Sequence, residues 1–310
     1  MKLSLLLLFV ISNTVVRSSW LIAQNIDSMI LKSFLLQEKL PVEIGVDEST
    51  DIRILAQAEK AILSKNEFIR FNVFSLINSV GIRTKSITVK QKALNLLLNS
   101  ATDSIFAIRE GFHEVFRYYD KIDFDDAFKT KLKLLIHNKD SVNRGLILLV
   151  GYLEMKEEMY FIEKNYAHEN ERFKNEFTIN NQFNTINFAA YLCLAKMGNV
   201  NALNYTITKM RSLSDNELIL ECFGDLSYLR NDASIKVLIN YLMLEGKLPP
   251  TEGPFNELYA NRALHVLSGI FKNFPIKKRQ SALYNELEID TARKWVTANS
   301  GNIEIEDNKW

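Results

Sequence analysis

The stretch FAAYLCLAKMGNVNALNYTITKM, residues 188–210, decides the fold, because LECFGDLSYLRNDASIKVLINYL, residues 220–242, can be laid on it 32 residues later. Each reads as a helix, a short polar turn and a second helix. Leu194 falls on Leu226, Leu203 on Ile235, Ile207 on Ile239 and Met210 on Leu242. Those positions would face inward on each hairpin. Asn199 and Asn231 both fall in the turn, where Asn tolerates left-handed backbone. One hairpin cannot bury its apolar face alone, so self-similarity at this period predicts stacked neighbours with a continuous core. A third copy places Val150-Gly151-Tyr152-Leu153 on Leu226-Ser227-Tyr228-Leu229, an offset of 76. The polar segment 167–181 reads as an insertion that absorbs the surplus over two periods.

Outward from these repeats, proline is confined to Pro41, Pro249, Pro250, Pro254 and Pro275. The long stretches between carry apolar residues at i, i+3, i+4 and i+7, the helical pattern. Helices are expected over 27–38, 51–63, 66–80, 87–100, 103–119, 123–137, 142–153 and 157–166. They continue over 183–197, 202–213, 215–229, 233–244, 256–273 and 290–298. Ser214 and Glu217 have the spacing of a capping box, which marks a helix start. No period-2 strand and no Asn-Gly or Asp-Gly hairpin signal is present. The fold class is all-α: a right-handed α-solenoid of stacked antiparallel helix pairs. It is expected to fill 24–310 as one domain, clearest over 183–244, with a Pro-rich loop at 245–254 breaking the stack.

The run Ala189-Ala190-Tyr191-Leu192-Cys193-Leu194-Ala195-Lys196-Met197-Gly198, then Asn199-x-x-Ala202-Leu203, resembles the HEAT-repeat (armadillo-like) family. Asp225-Leu226-Ser227-Tyr228-Leu229-Arg230-Asn231-Asp232 is similar to HEAT-like repeats of bacterial type. The likeness is good over 183–244 and looser over 66–166. It departs from the pattern where Arg230 replaces the turn glycine, at the 167–181 insertion and at the Pro-rich loop. The resemblance implies scaffolding or protein binding, with a minority of enzymes built on the same solenoid.

The N-terminus has another character. Lys2 precedes the apolar run Leu3-Ser4-Leu5-Leu6-Leu7-Leu8-Phe9-Val10-Ile11, and polar Ser12-Asn13-Thr14 and Arg17 follow. A basic start, a short apolar core and a change near small residues is the layout of a secretory signal peptide. The run is shorter than the roughly 20 residues a spanning helix needs. Residues 1–23 are read as the signal peptide, with cleavage after Ser18 or Ala23. Its removal deletes two basic residues and no acid, taking the formal net charge from +1 to −1. No stable membrane anchor is then expected. A near-neutral chain has no global field to draw it to nucleic acid. The only cysteines, Cys193 and Cys222, sit in apolar surroundings. Their places on neighbouring helices, which pack about 8–10 Å apart, read as two buried free thiols.

A search for chemistry nominates no catalytic, cofactor-binding or metal-ligating residue. His113-Glu114 begins like the zinc helix H-E-x-x-H, but Arg117 stands where the second His is needed; His168-Glu169 fails at Arg172 in the same way. His137 and His265 have no ligand-spaced partner. The acidic knot Asp123-Phe124-Asp125-Asp126 lacks the alternating ligands and bend glycine of a calcium loop. It suits the first turn of a helix. Phosphate loops, dinucleotide fingerprints and nucleophile elbows are absent. Lys277-Lys278-Arg279 is the densest basic cluster and reads as a solvated loop or helix end. Phe68, Phe71 and Phe74, like Phe112, Phe116 and Tyr119, read as core, and Trp295 as a cap on the stack.

The expectation is a non-enzymatic, exported scaffold, periplasmic or extracellular, that binds a protein partner through the groove of a HEAT-like solenoid, with no cofactor. The alternative is a small-molecule lyase or other enzyme on the same solenoid, which needs a deep polar pocket near 167–181 or 245–254.

Overall fold

A computed structural model of the chain describes residues 47–105, 108–109, 114–167, 185–249 and 257–308. The expected helix over 27–38, the signal peptide and the 167–181 insertion (beyond Ala167) lie outside the described residues. So do His113, His168, Phe112 and Trp310. Among the described residues the protein is all-helical; its β structure is limited to two isolated antiparallel bridges, Lys247 with Leu258 and Phe271 with Ile305.

The chain divides into two compact units. The first runs to Phe116 and adds Asp123–Thr130. It holds α1 (Glu48–Ala61), α2 (Glu67–Arg83) and α3 (Ile87–Leu98), each packed on the other two. Each begins at a polar cap whose side chain accepts a first-turn amide: Asp47 from Thr50, Asn66 from Phe68 and Ser86 from Val89. Such caps contribute about 1 kcal/mol apiece. Ile54, Leu55, Val73, Ile77, Leu94 and Leu97 fill the space between the helices. Phe116, Phe124 and Phe128 add a cluster with tilted and edge-on rings. Phe74 is buried as expected, but Phe68 and Phe71 are 62% and 47% exposed and are not core. The apolar positions of α2 run around most of the helix, so they outnumber those its neighbours cover. The acidic knot divides its work. Asp125 caps α4 (Asp126–His137) by accepting from the Phe128 amide at 2.7 Å, and Asp123 pairs with Lys90 at 3.1 Å.

The second unit takes Arg117–Ile122 and everything from Lys131. Its helices are α5 (Arg144–Tyr152), α6 (Met159–Tyr166), α7 (Ile186–Lys196), α8 (Val200–Arg211), α9 (Asp215–Glu217), α10 (Phe223–Leu229), α11 (Asp232–Met243), α12 (Tyr259–Leu267) and α13 (Glu286–Ala298). A π-helical turn, Leu218–Cys222, joins α9 to α10. α5 packs on α7, α7 on α10 and α10 on α12. Of the inward positions, Leu194, Leu226, Ile207, Ile235, Met210 and Leu242 are buried; Leu203 and Ile239 are half-buried. Ser214 and Glu217 form the expected capping box. The helix expected over 256–273 is confined to Tyr259–Leu267, after which the chain turns through left-handed Asn273.

The turns repeat more sharply than the sequence does. Positive φ among the described non-glycine residues falls at Glu154, Arg230 and Asn273, and Gly198 joins them at 100°. Glu154, Gly198 and Arg230 follow aligned residues. The carbonyls of Val150, Leu194 and Leu226 close these helix ends, accepting from Met155, Asn199 and Arg230. The first two are Schellman closures, with the paired bonds Glu154 N to Gly151 O and Gly198 N to Ala195 O. Asn199 and Asn231 are extended rather than left-handed. Each caps the next helix instead, accepting from Ala202 N and Ser234 N at 3.0 Å. The left-handed position is one residue earlier, because a helix C-terminus needs it there and the N-cap needs β backbone.

Candidate functional site

The turns of the second unit converge on an extended tail, residues 303–308. Its first contact is the antiparallel bridge at Phe271, where Lys272 N donates to Glu304 O at 2.9 Å and Glu306 N to Ile270 O at 2.7 Å. Arg230 Nη1 then donates to Glu306 O. Asp307 takes Lys196 Nζ at 2.7 Å on one oxygen and Lys121 Nζ at 2.9 Å on the other. Asn308 O accepts from Lys121 N at 3.2 Å. Tyr152 Oη lies 2.5 Å from Asn308 O and 3.0 Å from Tyr119 O, so its one proton is shared between two carbonyls. Along the tail the contacts pass from the latest turn back toward earlier ones.

The two partners differ in burial. Lys196 is 6% exposed and Tyr152 1%, whereas Asp307 is 49% exposed. Arg230 is buried and occupies the left-handed position at φ 47°, equivalent to Gly198 in the preceding turn. A side chain there costs about 1–2 kcal/mol. Its guanidinium offsets that cost by binding Ser227 O at 3.1 Å and the tail carbonyl. Lys121 is also held by Glu154 at 2.5 Å. Burial opposes the Asp307 carboxylate, but Lys196 and Lys121 together hold it below the usual carboxylate range. Burial, with Lys121 and Arg230 nearby, pushes the Lys196 ammonium down despite Asp307. Lys121, less deeply placed, is raised: Glu154 and Asp307 outweigh its burial.

Other polar clusters are inward-turned. Arg144 Nη2 pairs with Asp225 Oδ1 at 2.6 Å, leaving Arg144 Nε and Asp225 Oδ2 buried without a hydrogen bond. Glu158, whose side chain is 2% exposed, lies 2.6 Å from both Lys133 Nζ and His137 Nε2. His137 stacks on Phe161 with centroids 3.7 Å apart, so it is locally satisfied. Cys193 and Cys222 are free and buried, and burial pushes both thiols up, Cys222 to about 12. Of the basic cluster, Arg279 pairs with Glu288 and lies over the Tyr284 ring. Trp295 packs against Phe271 and Phe274.

Among the described residues no group of three or more His, Cys, Asp or Glu is placed to hold a metal ion, and no helix is long and apolar enough to cross a membrane. The hollow beside the Pro-rich loop, walled by Glu245, Glu286, Asp290 and Arg293, holds about 250 Å³. That is below the ~300–1,000 Å³ of ordinary ligand pockets. No family model, curated protein or solved structure matches this chain. Sequence reasoning did not find the tail site. Its only trace was Arg230 in a glycine position and an acidic run, Glu304-Ile305-Glu306-Asp307, close behind the last helix.

Proposed function

We propose that this chain is an exported, non-enzymatic scaffold that binds a protein partner on a HEAT-like α-solenoid. The observation that carries the reading is the recurrence of a left-handed residue four positions after Val150, Leu194 and Leu226, with a Schellman closure at the first two. Packing of α5 on α7, α7 on α10 and α10 on α12 supports stacking of repeats, and α5 also reaches α10 directly through Arg144–Asp225 and Tyr228–Leu148. Stacked repeats present long surfaces made of equivalent positions, which suit extended protein ligands. The tail supplies a case of such binding within the molecule: an extended acidic segment read by main-chain bonds and cations on successive turns. The N-terminal layout of Lys2 and the apolar run supports export.

Two measurements test it. Mass spectrometry of the mature N-terminus should find a chain beginning at Ser19 or Gln24; an intact Met1 contradicts export. Crosslinking in the exported fraction should recover one stoichiometric partner; a folded protein with none contradicts the scaffold.

A further inference from the structure

We propose that the turn ridge carrying Lys121, Tyr152, Lys196 and Arg230 is a docking groove for an extended acidic segment of a partner protein, and that the chain's own tail, 303–308, occupies it as an exchangeable strap. The proposal rests on the scaffold reading and gives its partner a chemistry.

The receptor side is built. Arg230 and Tyr152 are buried, the Lys196 side chain is 6% exposed, and all three sit at the ends of packed helices. The ligand side is shallow. Glu304, Asp307 and Asn308 are exposed, and Ile303, Ile305 and Glu306 only half-buried, so the tail has no deep apolar anchor. It is held by main-chain bonds, which read any extended segment, and by one carboxylate shared between two lysines. Main-chain pairing supplies affinity and the side-chain sites supply selectivity, as in other strand-addition modes. Here the selective element is cationic. Lys196, Lys121 and Arg230 meet on the ridge, and burial, with the two neighbouring cations, pushes the Lys196 ammonium down despite Asp307. Beside Glu306 and Asn308 lies an open hollow of about 370 Å³, walled also by Asp120 and Ile122.

A tethered tail competes at an effective concentration of about millimolar, so exchange shows when the strap is weakened. The probe is a fluorescein-labelled hexapeptide, Ile303-Glu304-Ile305-Glu306-Asp307-Asn308, with a control in which its Glu and Asp are Gln and Asn. Full-length Asp307→Ala should bind the acidic peptide at least tenfold more tightly than the full-length wild type. Adding Lys121→Ala to Asp307→Ala, or using the neutral peptide, should remove that gain, and raising the salt to 0.5 M should weaken binding. Absent binding by Asp307→Ala with an unchanged circular dichroism spectrum overturns the proposal, as does equal binding of the neutral peptide. A wild-type dimer that Asp307→Ala dissolves also overturns it, with a second copy as the occupant. A failed peptide with a partner still crosslinked to outward helix faces overturns the groove alone. A bound peptide with no partner recovered from the exported fraction overturns the scaffold reading alone.

Discussion

Lys196 Nζ lies 2.7 Å from Asp307, joining the end of α7 to the tail across more than a hundred residues of sequence. The pair is asymmetric, with the cation buried and the anion half in water. The lysine belongs to the framework and the aspartate to something laid over it. Asp307 is half in water, but it is shared between two lysines, one of them with its side chain buried, so it is worth more than an isolated surface pair. It anchors the tail whose register the main-chain bonds at Phe271 and Lys121 set.

Arg230 separates backbone from side chain. Arg230→Ala keeps the left-handed strain and loses the bonds to Ser227 and Glu306 carbonyls. Arg230→Gly loses the same bonds and regains about 1 kcal/mol of backbone cost. Both variants should be less stable than the wild type in urea, with Ala lower than Gly by about 1 kcal/mol. Equal midpoints for the two contradict the left-handed assignment.

Gly151 lies on α5 where α7 and α10 both approach it closely. A methyl group there would meet Tyr228 Oη at 2.1 Å and Cys193 Cα at 2.9 Å. Gly151→Ala should therefore destabilise by about 1–3 kcal/mol, the cost of overpacking. Adding Tyr228→Phe relieves only the phenol clash and forfeits its 2.7 Å bond to Leu148 O, so the double variant should not regain wild-type stability. Thermal unfolding of the two variants checks both statements.

Breaking the Arg144–Asp225 pair should be costly, because Asp225→Ala leaves an arginine that is 17% exposed without its carboxylate. Losses of about 3–5 kcal/mol are usual for such sites. Replacing both by apolar residues, Arg144→Met with Asp225→Leu, should recover most of the loss. Urea midpoints of the single and double variants decide; an additive double contradicts the coupling.

Glu158 sets part of the acid sensitivity. Burial favours its protonated form, but Lys133 and His137 hold it below the usual carboxylate range. A carboxylate lowered in the folded state contributes stability above its unfolded value and loses it as pH falls through the folded one. Stability should be flat from pH 7 to about 5 and fall below about 4.5. Glu158→Gln should be less stable at pH 7 and show a shallower acid slope.

Legibility followed the range of the interactions. Helices, caps and repeat phase depend on residues three to five apart, so 188–210 and 220–242 displayed them, and Ser214–Glu217 was readable from spacing alone. The Asn turns were placed correctly but given the wrong conformation, since a turn residue and an N-cap have the same composition. Phe68 and Phe71 read as core because periodicity shows a face without showing whether anything covers it. The tail was invisible because its bonds are to backbone carbonyls and amides, which carry no sequence signal, and its carboxylate partners Lys121 and Lys196 come from distant turns.

Hydrogen–deuterium exchange on wild type and Asp307→Ala tests the strap most directly. The Lys121 and Lys272 amides, far apart in sequence, both donate to tail carbonyls, Asn308 O and Glu304 O. Both should be protected in the wild type and lose protection together in Asp307→Ala, while Leu194 and Leu226 keep theirs. Unchanged protection at Lys121 and Lys272 in a variant that has lost both lysine ion pairs contradicts a tail held as an exchangeable ligand of the basic turn ridge.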